Sequence, residues 1–233
     1  MIDVDSIRGV LFDYGGTIDT NGVHWAEVIW QAYQHENVPV TKELFREAYI
    51  HGERTLGKNP LIKPHHTFLD MLRIKIGIQF CHIPLGGTEG RRIADYCYAY
   101  ARSSVEHARP VIEWMAGRYK IALVSNFYGN IATVLQDFGI DRFFPTIIES
   151  AVVGVRKPDP QIFRLGVEAL KMRANEVVVI GDSYDKDIIP ATAVGCQTIW
   201  LKNTGWSEYT GTETADLIIS DIAELRKQLK VES

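Results

Sequence analysis

Three separated stretches of the chain set acids, hydroxyls or amides directly after short apolar runs. Gly9-Val10-Leu11-Phe12 leads into Asp13 and, four residues on, Thr17; Ile121-Ala122-Leu123-Val124 leads into Ser125 and Asn126; Val177-Val178-Val179-Ile180 leads through Gly181 into Asp182 and Asp187. If the three runs are strands ending at one rim, carboxylates far apart in sequence can share a hard cation such as Mg2+, which takes oxygen ligands. Lys157, between Arg156 and Pro158, adds a fixed positive charge near that rim. Carboxylates, a metal, a lysine and hydroxyls together suit a phosphoryl group.

The elements that must position these groups can be read from periodicity. Four-residue apolar runs bounded by glycine or polar residues suit buried parallel strands. From about His24 to Ala108 the pattern is helical instead. Trp25, Val28, Ile29, Ala32 and Tyr33 share one helix face; Thr41 caps a helix over Lys42 to Tyr49; Phe68, Leu69, Leu72 and Ile76 mark a third helix over His66 to Ile76, and Arg92 to Val105 a fourth. After Pro110 strand and helix alternate: strands at Ile121–Val124, Thr146–Ile148, Val177–Ile180, Thr198–Leu201 and Leu217–Ile219, with helices at Asn130–Phe138, Gln161–Leu170, Asp187–Val194 and a last one to Lys230. This predicts an α/β fold, a doubly wound parallel sheet with Rossmann-like character, formed by residues 1–20 and 109–233 and interrupted by an all-helical insertion over 21–108.

The 233 residues include 46% hydrophobic and 23% charged, the composition of an ordinary globular chain, with no repeat and no low-complexity tract. A net charge of -4 gives no electrostatic reason to expect nucleic acid or an anionic membrane as partner. Cys81, Cys97 and Cys196 are odd in number and far apart, which argues against a disulfide framework or a zinc site. The N-terminus has neither a basic start nor an apolar run before a cleavage site, so the expectation is a cytoplasmic protein, monomer or homodimer.

Four ordered pieces, Asp13-Tyr14-Gly15-Gly16-Thr17-Ile18-Asp19, Val124-Ser125-Asn126, Val155-Arg156-Lys157-Pro158-Asp159-Pro160 and Gly181-Asp182-Ser183-Tyr184-Asp185-Lys186-Asp187, resemble the haloacid dehalogenase-like superfamily. The resemblance covers nearly the whole chain, with the helical insertion in the place of that family's cap. It implies a hydrolase, most simply a phosphoric monoester hydrolase acting on a small phosphorylated substrate. Asp13 would be the nucleophile attacking phosphorus, Ser125 would hold the transferring group together with Thr17 and Asn126, and Lys157 would orient Asp13 and offset its charge. Asp13, the Gly15 backbone carbonyl and Asp182 would ligate Mg2+, with Asp187 supporting the metal. An anionic nucleophile approaches an anionic phosphate only when such charges are neutralised.

Gly15 departs from the family pattern, because phosphatases carry there an aspartate that protonates the leaving oxygen and later activates water. Two sibling activities also lack it. Family dehalogenases work at carbon without a metal and keep fewer acids in the last motif, whereas Asp182 and Asp187 are both present here. Phosphonate-cleaving members have a first motif of the form Asp-Trp-Ala-Gly-Thr and a cap lysine that forms a Schiff base; Lys58 and Lys63 are the candidates, and nothing local marks either as activated. A third alternative is a degenerate member that binds a phosphorylated ligand with little turnover.

Other features read more simply as structure. Asp19 fits a cap and Asp185 a solvated acid at a helix start. Gly52 to Asn59 nearly spells a phosphate-binding P-loop, but it ends in Asn59 instead of Ser or Thr and follows a helix. His24, His65 and His66 fit helix starts or surface turns, and Trp25, Trp30 and Tyr33 fit the core of the insertion.

Overall fold

The computed structural model describes residues 1–83, 87–204, 211, 212 and 214–229. The first strand, β1 (Gly9–Phe12), is buried along its whole length, and its chain passes at once into the turn holding Asp13 to Thr20. Helices α1 (Trp25–His35), α2 (Lys42–Lys58), α3 (Phe68–His82) and α4 (Gly87–Ala116) follow before the chain returns to the sheet as β2 (Lys120–Ser125). Then come α5 (Ile131–Asp137), β3 (Ile147–Glu149), α6 (Ser150–Val153), α7 (Gln161–Leu170), β4 (Val177–Gly181), α8 (Ile189–Val194), β5 (Gln197–Leu201), β6 (Leu217–Ile219) and α9 (Leu225–Gln228).

All strand pairs are parallel, in the order β3-β2-β1-β4-β5-β6, so the chain reverses its direction of winding beside β1. In such sheets the ligand crevice lies beyond the carboxyl ends of the strands at that reversal. β1 is flanked by β2 and β4, with Phe12 level with Leu123 on one side and Ile180 on the other. The three polar strand ends therefore lie side by side. One face of the sheet is closed by α7, whose Gly166 packs so near Leu11 and Val124 that a side chain there would overlap both.

The inserted helices include the expected Thr41 cap, and their lengths differ from the expected ones. The Thr41 hydroxyl accepts from the Leu44 amide, and Thr67 and Asp70 form a reciprocal capping box at the start of α3. α2 runs on to Lys58, so the stretch resembling a P-loop is its last turns, and Asn59 ends the helix. α4 is 30 residues long and passes through Pro110, so the expected division between residues 108 and 109 falls inside a helix. Proline removes one amide donor, at a carbonyl four residues back, and burial of Ala108, Val111, Ile112 and Met115 holds the helix together across the gap. Tyr33 and Trp30 pack on Phe45 inside the insertion, as expected of a core stripe. The final helix spans Leu225–Gln228; Lys230, where it was expected to end, lies outside the described residues.

Candidate active site

Asp13 leaves the end of β1 beneath the insertion, in a cavity of 950 Å3 that the core rim and helices α2 and α3 enclose. Its Oδ1 pairs with the Lys157 ammonium at 2.6 Å, and its Oδ2 accepts from the Thr17 hydroxyl at 2.9 Å. Lys157 makes a second 2.6 Å bond to Asp187 Oδ1. Asp13, Asp182 and Asp187 each offer a carboxylate oxygen, and these oxygens lie within 4.8 Å of one another. Three carboxylates against one ammonium leave two negative charges uncompensated in a buried place. An all-oxygen set with that surplus fits a hard divalent cation.

The electrostatics agree with that surplus. Burial pushes the Asp13 carboxyl up to about 6 despite the opposing pull of Lys157. Burial, reinforced by Asp13 and Asp187, holds Asp182 well above the usual carboxylate range. Burial also works against the Lys157 ammonium, yet the two carboxylates outweigh it and keep its pKa above the ordinary lysine value. Lys157 thus stays charged. A cation bound among the acids would reverse the upward push on them.

Local sequence explains how the acids converge. Gly16 sits at φ +99°, and a Cβ there would overlap the Asp182 carboxylate, so the turn after Asp13 requires glycine. Gly181 is similarly tight against the Asp187 side chain. Asp187 lies in a single π-helical turn, Tyr184–Ile188, and its Oδ2 accepts from the Ser183 amide at 3.0 Å. The Trp200 indole donates to the Asp182 backbone carbonyl at 2.8 Å, fixing the start of that turn.

Ser125 is buried, lines the cavity, and its hydroxyl has no hydrogen-bond partner among the described residues. A buried orphan hydroxyl costs stability unless something else bonds to it. Asn126 lines the cavity as well and braces Lys157. Its Oδ1 accepts from the Lys157 amide at 2.8 Å and its Nδ2 donates to the Lys157 carbonyl at 3.0 Å, so both ends of the side chain hold the lysine loop. The Thr17 hydroxyl is likewise directed at carboxylates, with Asp182 Oδ1 at 3.2 Å as second neighbour. Gly15 lines the cavity, and a Cβ built on it would meet no atom within 4 Å.

Asp185 is exposed, as expected of a solvated acid. Asp19 is fully buried; it accepts from the Gly16 amide at 2.7 Å and from the Trp25 indole at 3.0 Å. Trp25 is therefore a tie from the insertion to the turn after Asp13 as well as a packing residue. His24 caps α1 through Nδ1, and burial, with Lys186 and Lys75 adding to it, lowers its pKa to about 4. It is neutral at neutral pH. Lys58 is exposed at the cavity mouth, while the Lys63 ammonium bonds the Pro60 carbonyl and is not among the cavity-lining residues.

Sequence reading missed Lys75 and Glu53, which form a buried-side ion pair in the cavity wall. A signal existed: Lys75 stands in the stripe Phe68, Met71, Leu72, Ile76, Gln79 of α3, where an apolar residue is expected.

A sequence model described as haloacid dehalogenase-like hydrolase matches residues 7–195. The chain belongs to that family. Glyceraldehyde 3-phosphate phosphatase from Pyrococcus furiosus is 32% identical over 96 residues, 40% of each chain. Phosphoglycolate phosphatase from Yersinia pestis is 26% identical over 236 residues, covering 97% of this chain and 94% of the relative. Among solved structures, the HAD hydrolase YfnB from Bacillus subtilis bound to magnesium superposes with a TM-score of 0.61 at 17% identity, covering 97% of this chain and 99% of that one. A dehalogenase described as an intermediate complex gives 0.66 at 16% identity over the full length of both. The structural likeness establishes the fold: a six-stranded parallel sheet with a helical cap, α1 to α4, inserted between β1 and β2. As a member of this family the protein is a hydrolase. No helix among the described residues is long and apolar enough to cross a membrane.

Proposed function

We infer that the protein is a Mg2+-dependent phosphatase that acts on a small phosphorylated molecule through an aspartyl-phosphate on Asp13. The observation that carries this reading is the orphaned, buried Ser125 hydroxyl facing the same cavity as Asp13, whose own oxygens are held by Lys157 and Thr17. A phosphoryl oxygen is a natural acceptor for that hydroxyl. Asp13, Asp182 and the Gly15 carbonyl would hold Mg2+, with Asp187 supporting it; the ion would offset the charge between nucleophile and phosphate.

In this reading an Asp13 oxygen bonds to phosphorus as the bond to the leaving oxygen breaks. Lys157 keeps Asp13 aimed and offsets its charge, Asn126 fixes the Lys157 backbone, and Ser125 donates to the transferring group. Water then cleaves the acyl-phosphate, returning Asp13 and releasing phosphate. Gly15 supplies no acid for the first step and no base for the second, and His24, held neutral, is a poor acid at neutral pH. Leaving groups that need no proton should therefore be favoured. We take residues 21–108 as the cap and 1–20 with 109–233 as the core.

The relatives named as phosphatases support phosphorus chemistry, and the paired acids Asp182 and Asp187 support a metal-using site over carbon–halogen cleavage. Phosphonate cleavage through a lysine is disfavoured: Lys58 and Lys63 are exposed, and Lys75 is tied to Glu53. Rates on acyl, aryl and alkyl phosphates, phosphonates and chloroacids, each with and without Mg2+, test the reading. Magnesium-dependent phosphate release from aryl or acyl phosphates is the expected result. Turnover confined to chloroacids or phosphonates would refute it, and tight phosphate binding with no turnover would identify a degenerate binder.

A further inference from the structure

The cap side of the cavity carries one carboxylate held by two neighbours. Glu53, on α2, pairs with the Lys75 ammonium on α3, and its Oε2 accepts from the Tyr128 hydroxyl at 3.2 Å. Lys75 is nearly closed off, with 8% of its side chain exposed, and its ammonium lies 5.3 Å from the centre of the Tyr49 ring. Glu53 lines the cavity and keeps 37% of its side chain open, but its Oε1 is buried against Lys75, so Oε2, beside the Tyr128 hydroxyl, is the oxygen left for a ligand. Tyr128 stands three residues after Ser125 on the core loop, so the carboxylate spans from the cap to the phosphate-facing segment. None of these three residues belongs to the motifs that define the family resemblance.

We propose that Glu53, buttressed by Lys75 and Tyr128, is the leaving-group subsite, and that it selects phosphate monoesters whose organic part carries hydrogen-bond donors and no carboxylate. The assignment presupposes that Asp13 handles a phosphoryl group, as set out above. Anchored beyond Asp13, such a molecule projects its far end toward the cap. There it meets a carboxylate acceptor whose charge Lys75 already balances, with no free donor beside it among the described residues. Hydroxyl or ammonium groups bond to it, whereas a second carboxylate would give up its water and find an acceptor where it needs a donor. Burial disfavours both charges, but each partner outweighs it for the other, which keeps Glu53 ionised and Lys75 protonated. Lys75 spends its charge on Glu53, so it does not offer a free site for an anion. The other cavity cations outside the acid cluster, Lys58, Arg156 and Lys186, are exposed to solvent, where charge pairing is weak. Tyr49, Trp25 and Tyr128 line the same cavity and add apolar surface to it.

Calorimetric titration of the Asp13→Asn protein with Mg2+ present reads binding without turnover. The probes are inorganic phosphate, glycerol 3-phosphate, phosphoethanolamine and phosphoglycolate. Glycerol 3-phosphate is expected to bind at least ~10-fold more tightly than phosphoglycolate, and phosphoethanolamine tells a preference for ammonium from one for hydroxyl. Glu53→Gln, which keeps an acceptor and removes the charge, should bring the ratio of glycerol 3-phosphate to phosphoglycolate affinity toward one. Phosphoglycolate binding as tightly as glycerol 3-phosphate would overturn the subsite, even if the Glu53 variant fails to fold. An unchanged ratio in a folded Glu53→Gln protein would do the same. Failure to bind inorganic phosphate would defeat the phosphatase reading itself and the subsite with it.

Discussion

Gly15→Asp should convert a selective enzyme into a broader one. The family's acid–base aspartate is missing at this position, and general acid–base assistance is typically worth ~10²–10⁴-fold in rate, or about 3–5 kcal/mol of barrier. The geometry permits its return. A Cβ on Gly15 meets nothing within 4 Å, and its φ lies outside the left-handed region, in contrast to Gly16 one residue on, at +99° with Asp182 against it. The new carboxylate would start from a residue that already lines the cavity. Steady-state kcat/KM on an alkyl and an aryl phosphate, for both proteins and with Mg2+, gives the comparison. The variant is expected to gain up to ~10²–10⁴-fold on the alkyl ester and little on the aryl ester. In the wild type, slow attack of water should let the aspartyl-phosphate accumulate, visible as a burst of aryl alcohol and as trapped label on denaturation. Equal wild-type activity on the two esters would refute the reasoning, as would a folded, magnesium-binding Gly15→Asp protein that gains on neither.

Asp13→Asn should reduce magnesium-dependent turnover to background with the fold retained, measured by phosphate release and circular dichroism; substantial residual turnover would remove Asp13 as nucleophile. Asp182→Ala should weaken Mg2+ binding by at least ~10-fold in a calorimetric titration, since loss of even an outer-shell partner commonly costs that much. Burial raises the Asp19 carboxyl to about 7 from an ordinary 3.8, so the folded state holds a proton that the unfolded chain has released. The sign follows: this group's contribution to stability is fully present below about pH 4 and is lost as pH rises toward 7, by up to ~4 kcal/mol. Chemical denaturation across that range in EDTA should show a flatter pH dependence for Asp19→Asn than for wild type, and identical slopes would contradict the assignment.

The strands and the cluster of Asp13, Asp182 and Asp187 are legible because buried parallel strands leave continuous apolar runs, and their polar successors stand out against them. Gln161–Leu170 and Leu217–Ile219 have the expected limits because each is bounded by a clear change of pattern. α4 was read short at both ends: its Pro110 looks like a stop, and only tertiary burial of the following turn overrides that local penalty. Which strand neighbours which depends on non-local pairing, so the adjacency of β2, β1 and β4 could be expected only from resemblance. Side-chain partners were hardest. Asn126 and Thr17 have the right types to bind phosphate, and their bonds to Lys157 and Asp13 join loops that no local pattern connects. Lys75 was passed over because a single charge in a helical stripe is easily read as an edge residue; its partner Glu53 lies 22 positions away on another helix.

The long helix that carries the chain out of the cap and into the core acts mechanically as a beam. Thirty residues of continuous helix extend about 45 Å, and the buried turns near its end anchor it firmly beneath the sheet. The opposite connection, residues 20 to 24, is a short non-helical segment. The two attachments therefore differ in stiffness, and any swing that admits substrate must pivot about the soft one while flexing the rigid one. Compliance along the beam is greatest where Pro110 leaves the Glu106 carbonyl without its helical donor. A small bend of this rod at the proline would be multiplied over the length of helix that lies beyond it.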